Sequence, residues 1–170
     1  MQPHESKLRS VLTGTIAEDA AMRVGQGSLR IDTARYDLAP GVRAFGVDIS
    51  SQAPGPRCAD GGFGPLRTLF VQDGASLRPV LASVVLTTWR RVSGSACADS
   101  DDAIIENTAT TIAVAPQARN GFADLVLAST VDGHAAPRLR TVLHYDGHLY
   151  GAKDDRIWPD VIVPDAPAKR

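Results

Sequence analysis

Val142-Leu143-His144-Tyr145-Asp146-Gly147-His148-Leu149-Tyr150 is the stretch that decides the fold class. Two short runs of β-favouring residues are split by an Asp-Gly pair, and Asp-Gly readily takes the positive φ angles of a two-residue type I′ turn. A hairpin is expected, with Tyr145 opposite His148 and His144 opposite Leu149. Because side chains alternate along a strand, Leu143, Tyr145, His148 and Tyr150 then share one face and His144 turns to the other. Two histidines four residues apart are thereby kept off a common ion, and no metal site is expected here.

The same turn chemistry recurs upstream. Asp132-Gly133 separates a strand at 124–131 from one at 139–145, which extends the hairpin into a three-strand antiparallel meander, and Asp73-Gly74 splits 68–72 from 76–81. Further strand patterns lie at 29–34, 42–49, 66–72, 80–89, 104–114 and 148–151. The best helix candidate is 17–23, Ala-Glu-Asp-Ala-Ala-Met-Arg, which Gly25 and Gly27 stop within two turns. Fifteen Gly and 11 Pro are scattered between these segments, as punctuation between short elements. The expectation is a single all-β domain over 1–170, built of antiparallel hairpins and meanders as a small propeller-like body or a sandwich, with polar flexible ends at about 1–8 and 160–170.

Eighteen Lys and Arg against 19 Asp and Glu leave a net charge of -1. Strong nucleic-acid binding and targeting to acidic membranes are not expected of such a chain, and any partner must be met through a local patch. The longest mainly apolar run, 80–86, is far short of the ~20 residues that a membrane helix needs. The polar start Met1-Gln2-Pro3-His4-Glu5-Ser6-Lys7 does not read as a signal peptide, which suits a cytosolic protein or a mature fragment given a new start Met.

Cys58 and Cys97 are the only cysteines and lack CxxC spacing, so a Cys-rich zinc site is not expected. Both lie in turn-forming sequence and not in an apolar run that would bury an inert thiol. A disulfide is the preferred reading and points to an oxidising compartment. Two unpaired thiols in a cytosolic protein are the alternative.

Motifs for catalysis are sparse. Asp99-Ser100-Asp101-Asp102 and Asp154-Asp155 lack the register of a calcium loop, and Gly25-Gln26-Gly27 lacks the third glycine of a dinucleotide fingerprint. Ser93-Gly94-Ser95 is not the nucleophile elbow G-x-S-x-G. Beyond the first few residues only Glu18 and Glu106 supply glutamate, which poorly serves glycoside hydrolysis. No enzymatic activity and no cofactor are expected.

Asn120-Gly121-Phe122-Ala123-Asp124-Leu125-Val126-Leu127 together with Leu143-His144-Tyr145-Asp146-Gly147-His148-Leu149-Tyr150 resembles the ending of small bacterial envelope proteins. These include lysozyme inhibitors and immunity proteins against peptidoglycan-degrading toxins. The resemblance implies an all-β body, a periplasmic location with or without a lipid anchor on the precursor, and a projecting loop that plugs the cleft of a cell-wall hydrolase. The matching segment is 89–97, whose Ser93-Gly94 is similar to the Ser-Gly-x-x-Tyr inhibitory loop, with Cys97 where that pattern has tyrosine. Arg90, Arg91, Ser93 and Ser95 are then the expected partner contacts, since guanidinium groups and short hydroxyls suit catalytic carboxylates. Strand-end charges on a solvated face are the plainer reading of the two arginines. A carbohydrate or peptidoglycan-binding module is the alternative function. With two Trp, three Tyr and four Phe in the chain, it would have to build its platform from few aromatics.

Overall fold

Turn chemistry and two-residue alternation produce strands throughout this computed structural model, which describes residues 11–95, 97, 103–151 and 162–164. The strands are β1 (Gly14–Ile16), β2 (Leu29–Ala39), β3 (Val42–Ile49), β4 (Gly61–Phe63), β5 (Leu66–Asp73), β6 (Ser76–Val85), β7 (Thr87–Ser93), β8 (Ile104–Arg119), β9 (Phe122–Val131), β10 (Leu139–Tyr145), β11 (Tyr150–Gly151) and β12 (Ile162–Pro164). They form a four-stranded sheet β2-β3-β5-β6, a six-stranded sheet β11-β10-β9-β8-β7-β4, and a ribbon β1-β12. All these strand pairs are antiparallel, and the molecule is an all-β single domain with one curled sheet. The polar ends expected at 1–8 and 160–170 lie outside the described residues, Ile162–Pro164 excepted.

One bent hairpin joins the two sheets. β5 and β6 pair across Gly74 and Ala75, with Asp73 opposite Ser76. Beyond Gly64-Pro65 on one side and Leu86 on the other, the same two chain segments continue as β4 and β7 and pair in the other sheet. At the bend, the Leu86 N–H donates to the Pro65 carbonyl at 2.9 Å and the Thr110 N–H donates to the Leu86 carbonyl at 2.7 Å. The strand expected over 80–89 is therefore two strands that change sheets at Leu86.

The core lies between the sheets. Tyr36, Leu38, Ala44, Leu69, Val71, Val80, Leu81 and Val84 meet Leu125, Leu143, Tyr145 and Tyr150, with Ile112, Val114 and Leu127 packed against them. A second cluster of Met22, Ile49 and Leu66, with Ile16, Phe63 and Val85 against it, covers the other side of the four-stranded sheet, because Ile49 and Leu66 follow Asp48 and precede Arg67 on alternating faces.

Asp48 and Arg67 are direct cross-strand partners on β3 and β5, and Asp32 on β2 is opposite Gly46. Arg67 makes a two-pronged contact with Asp48, Nε to Oδ1 at 2.6 Å and Nη2 to Oδ2 at 2.8 Å. Its Nη1 reaches Asp32 Oδ2 and the Tyr36 hydroxyl, and that hydroxyl donates to Asp32 at 2.8 Å. Asp48 is 2% exposed. Burial pushes the Asp32 carboxyl upward, but the Ala34 N–H, the Tyr36 hydroxyl and the charges of Arg67 and Arg30 outweigh it and hold it below the usual carboxylate range.

Two local expectations are corrected. No helix forms at 17–23: the Asp19 carboxylate accepts from the N–H groups of Ala21 and Met22, each at 2.8 Å, and Glu18 accepts from the Val24 N–H at 2.6 Å. Side chains thus satisfy backbone donors in a turn, a competition that acidic residues often win over a short helix. In the closing hairpin Tyr145 is opposite Tyr150 and His144 opposite Gly151, so the loop has four residues, and His148 sits in it and not on a strand. Asp146 Oδ1 accepts from the N–H groups of His148 at 2.7 Å and Leu149 at 2.8 Å, and Asp146 N–H donates to the Leu149 carbonyl. Two extra loop residues preserve parity, so Leu143, Tyr145 and Tyr150 do share the buried face while His144 is exposed.

Arg67→Met is expected to destabilise the protein by about 3–5 kcal/mol, because it strands the buried Asp48 and the half-buried Asp32 carboxylates, and Arg67→Lys is expected to restore little, since one ammonium cannot reproduce the fork. Urea unfolding reads both. For Asp32 the folded pKa is depressed, so its contribution is full above the ordinary carboxylate value of about 3.9 and is lost as the pH falls below that toward the folded value. Acid titration of wild type against Asp32→Asn should show the slope flattening in the variant. A Cβ at Gly46 would lie 3.0 Å from Asp32 Cβ and 3.2 Å from Arg67 Cδ and Nε, so Gly46→Ala is expected to cost about 1–3 kcal/mol by overpacking.

Candidate functional site

Along β8 the inner face of the six-stranded sheet changes character. Val114 and Ile112 pack on the core, and the next residues of the same parity are Thr110, Thr108 and Glu106, all half-buried. Register sets Thr110 beside Ser129, Thr108 between Thr88 and Val131, and Glu106 opposite Arg90. The Thr110 and Ser129 hydroxyls are 2.8 Å apart. The sheet therefore carries a polar surface on the inner face beyond the apolar core.

Glu106 is the hub of this surface. Its Oε1 accepts from Arg90 Nε at 2.8 Å and lies 2.7 Å from Arg90 Nη2, and Arg138 Nη1 reaches both carboxylate oxygens at 3.2 and 3.4 Å. The Arg90 hydrogen bond, with the charges of Arg90, Arg138 and His134, holds the Glu106 carboxyl below its usual range. Arg138 is brought in by the 132–138 loop, which is pinned by Asp132 N–H to the Asn107 carbonyl at 3.0 Å, His134 N–H to Val131 at 3.0 Å and Arg138 N–H to Ser129 at 2.8 Å. Beneath it is a recess of about 400 Å³ lined by Val131, His134, Ala136 and Arg138.

The expected contact residues divide between two faces. Arg90 is bound to Glu106, whereas Arg91, one residue on, turns to the other side with its side chain 15% exposed and Nε 3.3 Å from Asp60 Oδ1. That approach is an ion pair without hydrogen-bond alignment, since Arg91 Nε has no hydrogen-bond partner among the described residues. Trp89 shares the Arg91 face and lies against Gly62, where a Cβ would collide with its indole nitrogen. Ser93 ends β7 opposite Ile104, and the Ser95 hydroxyl accepts from the Cys97 N–H at 3.3 Å. Both serines are exposed.

Cys58 and Cys97 form a disulfide with their Cα atoms 5.2 Å apart. It joins the loop before β4 to the loop after β7, just beyond the rungs by which these strands pair. At the same end of β7 and β8, Val92, Ile104 and Ile105 are exposed; Ile104 is opposite Ser93 and Ile105 opposite Arg91, so the two isoleucines turn to opposite faces of the sheet.

A second polar pair lies on the outer face of the same sheet. His144 Nδ1 is 3.0 Å from Asp124 Oδ2, with Arg119 Nε 3.9 Å from the same oxygen. The Asp124 side chain is buried and its Oδ1 has no hydrogen-bond partner among the described residues. The pair orients an imidazole whose ring is half-exposed. Among the described residues no three His, Cys, Asp or Glu side chains converge as metal ligands.

The chain matches no family model, no curated protein and no solved structure. Among the described residues no helix is long and apolar enough to cross a membrane. Arg138 and His134 were not among the expected contacts: they are 32 and 28 positions from Glu106, and only the strand register and loop path bring them together.

Reduction of the Cys58–Cys97 bridge, whose loop spans 39 residues, is expected to lower stability by about 4 kcal/mol in the chain-entropy account. Paired urea titrations with and without dithiothreitol measure this, and thiol titration of denatured, unreduced protein should find no free thiol.

Proposed function

We propose that the protein is an extracytoplasmic binding protein, an inhibitor or immunity factor that occludes a peptidoglycan hydrolase in the bacterial periplasm with the disulfide-tethered end of its six-stranded sheet. The observation that carries this reading is the exposure of Val92 and Ile104 together at the end of β7 and β8, the end that the Cys58–Cys97 bridge ties to the loop before β4. Exposed apolar side chains gathered at one end of a domain suit a protein partner, and a covalently restrained loop loses less entropy on docking. The resemblance of 120–127 and 143–150 to envelope inhibitors supplies the class of partner. A protein partner fits better than a sugar platform, because Tyr36, Tyr145, Tyr150 and Phe70 are buried in the core and Trp89 packs on Gly62.

Within this reading the apolar residues anchor the complex and the arginines sit at its rim. Arg90 is 57% exposed and already bound to Glu106, so Arg90→Ala is expected to weaken binding by about 1 kcal/mol or less, as rim charges do. Val92→Asp with Ile104→Asp is expected to weaken it by roughly a hundredfold or more, about 2.7 kcal/mol. The measurement is calorimetric binding and inhibition against a muralytic hydrolase encoded beside this gene. Binding unaffected by the double Asp variant would overturn the assigned surface, and turnover of peptidoglycan by this protein alone would overturn the function.

A further inference from the structure

The recess under the 132–138 loop has the features of a small-molecule site that the docking role does not use. It is lined by the apolar side chains of Val131 and Ala136 and by the polar side chains of His134 and Arg138. Val131 is 5% exposed, so this part of the lining is an apolar surface already set in the fold. Two guanidinium groups converge on the single carboxylate of Glu106, which leaves one positive charge in excess without counting His134.

The two arginines are not held alike. Arg90 reaches Glu106 with Nε and Nη2 at 2.8 and 2.7 Å, a closed fork that leaves little for a ligand. Arg138 touches it only through Nη1, at 3.2 and 3.4 Å, and its side chain is 63% exposed. Its remaining donors are therefore available at the mouth of the recess. A guanidinium edge is matched by a planar two-oxygen anion, and His134, which lines the same recess, places an imidazole beside it. A doubly charged phosphate would meet Glu106 as a stronger repulsion, whereas a monoanion is balanced by the single charge in excess.

We propose that this recess binds a small monocarboxylate carrying a short apolar substituent, with the carboxylate on the outer edge of Arg138 beside His134 and the substituent on Val131 and Ala136. A peptide C-terminus ending in a small residue has this chemistry, as does a free short-chain carboxylate.

The test is an NMR titration of the full chain with N-acetylalanine, with N-acetylalaninamide, which lacks the charge, and with propionate, which lacks the peptide group. It uses the protein alone, so its outcome does not depend on whether any hydrolase binds. Saturable shifts of His134 and Arg138 signals are expected with N-acetylalanine, at least tenfold weaker with the amide, because the charge-assisted bonds are lost. Comparable binding of propionate assigns the site to free carboxylates, and weaker binding of propionate assigns it to peptide ends. Arg138→Gln is expected to abolish the shifts with the near-ultraviolet circular dichroism unchanged. Glu106→Gln, which removes the competing carboxylate, is expected to tighten binding several-fold. Equal binding of the amide, absence of saturable shifts at His134, or weaker binding by Glu106→Gln would each overturn the proposal.

Discussion

Arg67 between Asp32 and Asp48 is the contact on which the geometry of the four-stranded sheet depends. Each of β2, β3 and β5 contributes one member, so any slip of one strand by a residue would carry a charge to the opposite face and leave its partners buried without neutralisation. Desolvation of the three groups offsets most of their attraction, so the network adds less to net stability than to the choice of register. Gly46 makes the arrangement possible: it lies on the network's face, and the absence of a Cβ there leaves the room in which the Asp32 and Arg67 side chains meet. Burial and the Asp32 bond together raise the Tyr36 phenol above its ordinary value, which keeps its proton in place as donor to Asp32.

That fixed sheet is coupled to the other through the bent hairpin. Leu66 opposite Val85 is the last rung of β5 and β6 before the bend, and Phe63 opposite Thr88 is the first rung of β4 and β7 after it. The six-stranded sheet is thus held at its β7 side by a continuation of the strand pair that carries Arg67. On the far side, Arg78 of β6 donates to the His148 carbonyl at 2.7 Å and to the Tyr145 hydroxyl at 3.1 Å, which fastens the closing loop across the sandwich. The polar inner surface lies outside both fastenings, so its shape follows from strand register and from the 132–138 loop and not from core packing.

How much of this was legible in the sequence depended on whether the signal was local. The strands at 42–49 and 139–145 have the bounds that alternation predicts, and the disulfide follows from where Cys58 and Cys97 stand. Asn120-Gly121 carries φ values of 51° and 92° with Arg119 opposite Phe122, a two-residue turn with both central angles positive. Local turn chemistry alone therefore places this hairpin, independently of the family resemblance of 120–127. Asp-Gly predicts a two-residue loop at the closing hairpin, whereas the loop has four, because Asp-Gly chemistry is compatible with more than one loop length and the capping by Asp146 Oδ1 decides between them. Glu106 illustrates the harder class: nothing near it in sequence announces Arg90, 16 positions away, or Arg138, 32 positions away. Pairing register across three strands assembles that cluster, and single-sequence patterning does not carry register.

The composition of the cluster in turn limits what it can recognise. Because the Arg90 hydrogen bond holds the Glu106 carboxyl below its usual range, Glu106 keeps its charge to a lower pH than a free glutamate, and it occupies the better-aligned guanidinium. On the proposed reading, an incoming anion would meet Arg138 on one edge with His134 beside it, at partial exposure, where the attraction is weakened by solvent and salt. Charge by itself would give a weak, unselective site. Under the proposal, selectivity would have to come from Val131 and Ala136, since burying even a methyl-sized group against them adds a term that salt does not screen. The same division would hold at the tethered end of the sheet, where Arg90 and Arg91 pair with Glu106 and Asp60 and exposed Val92 and Ile104 remain for a proposed partner. On both proposed readings the ionic groups would fix geometry and orientation, and apolar contact would supply the binding energy.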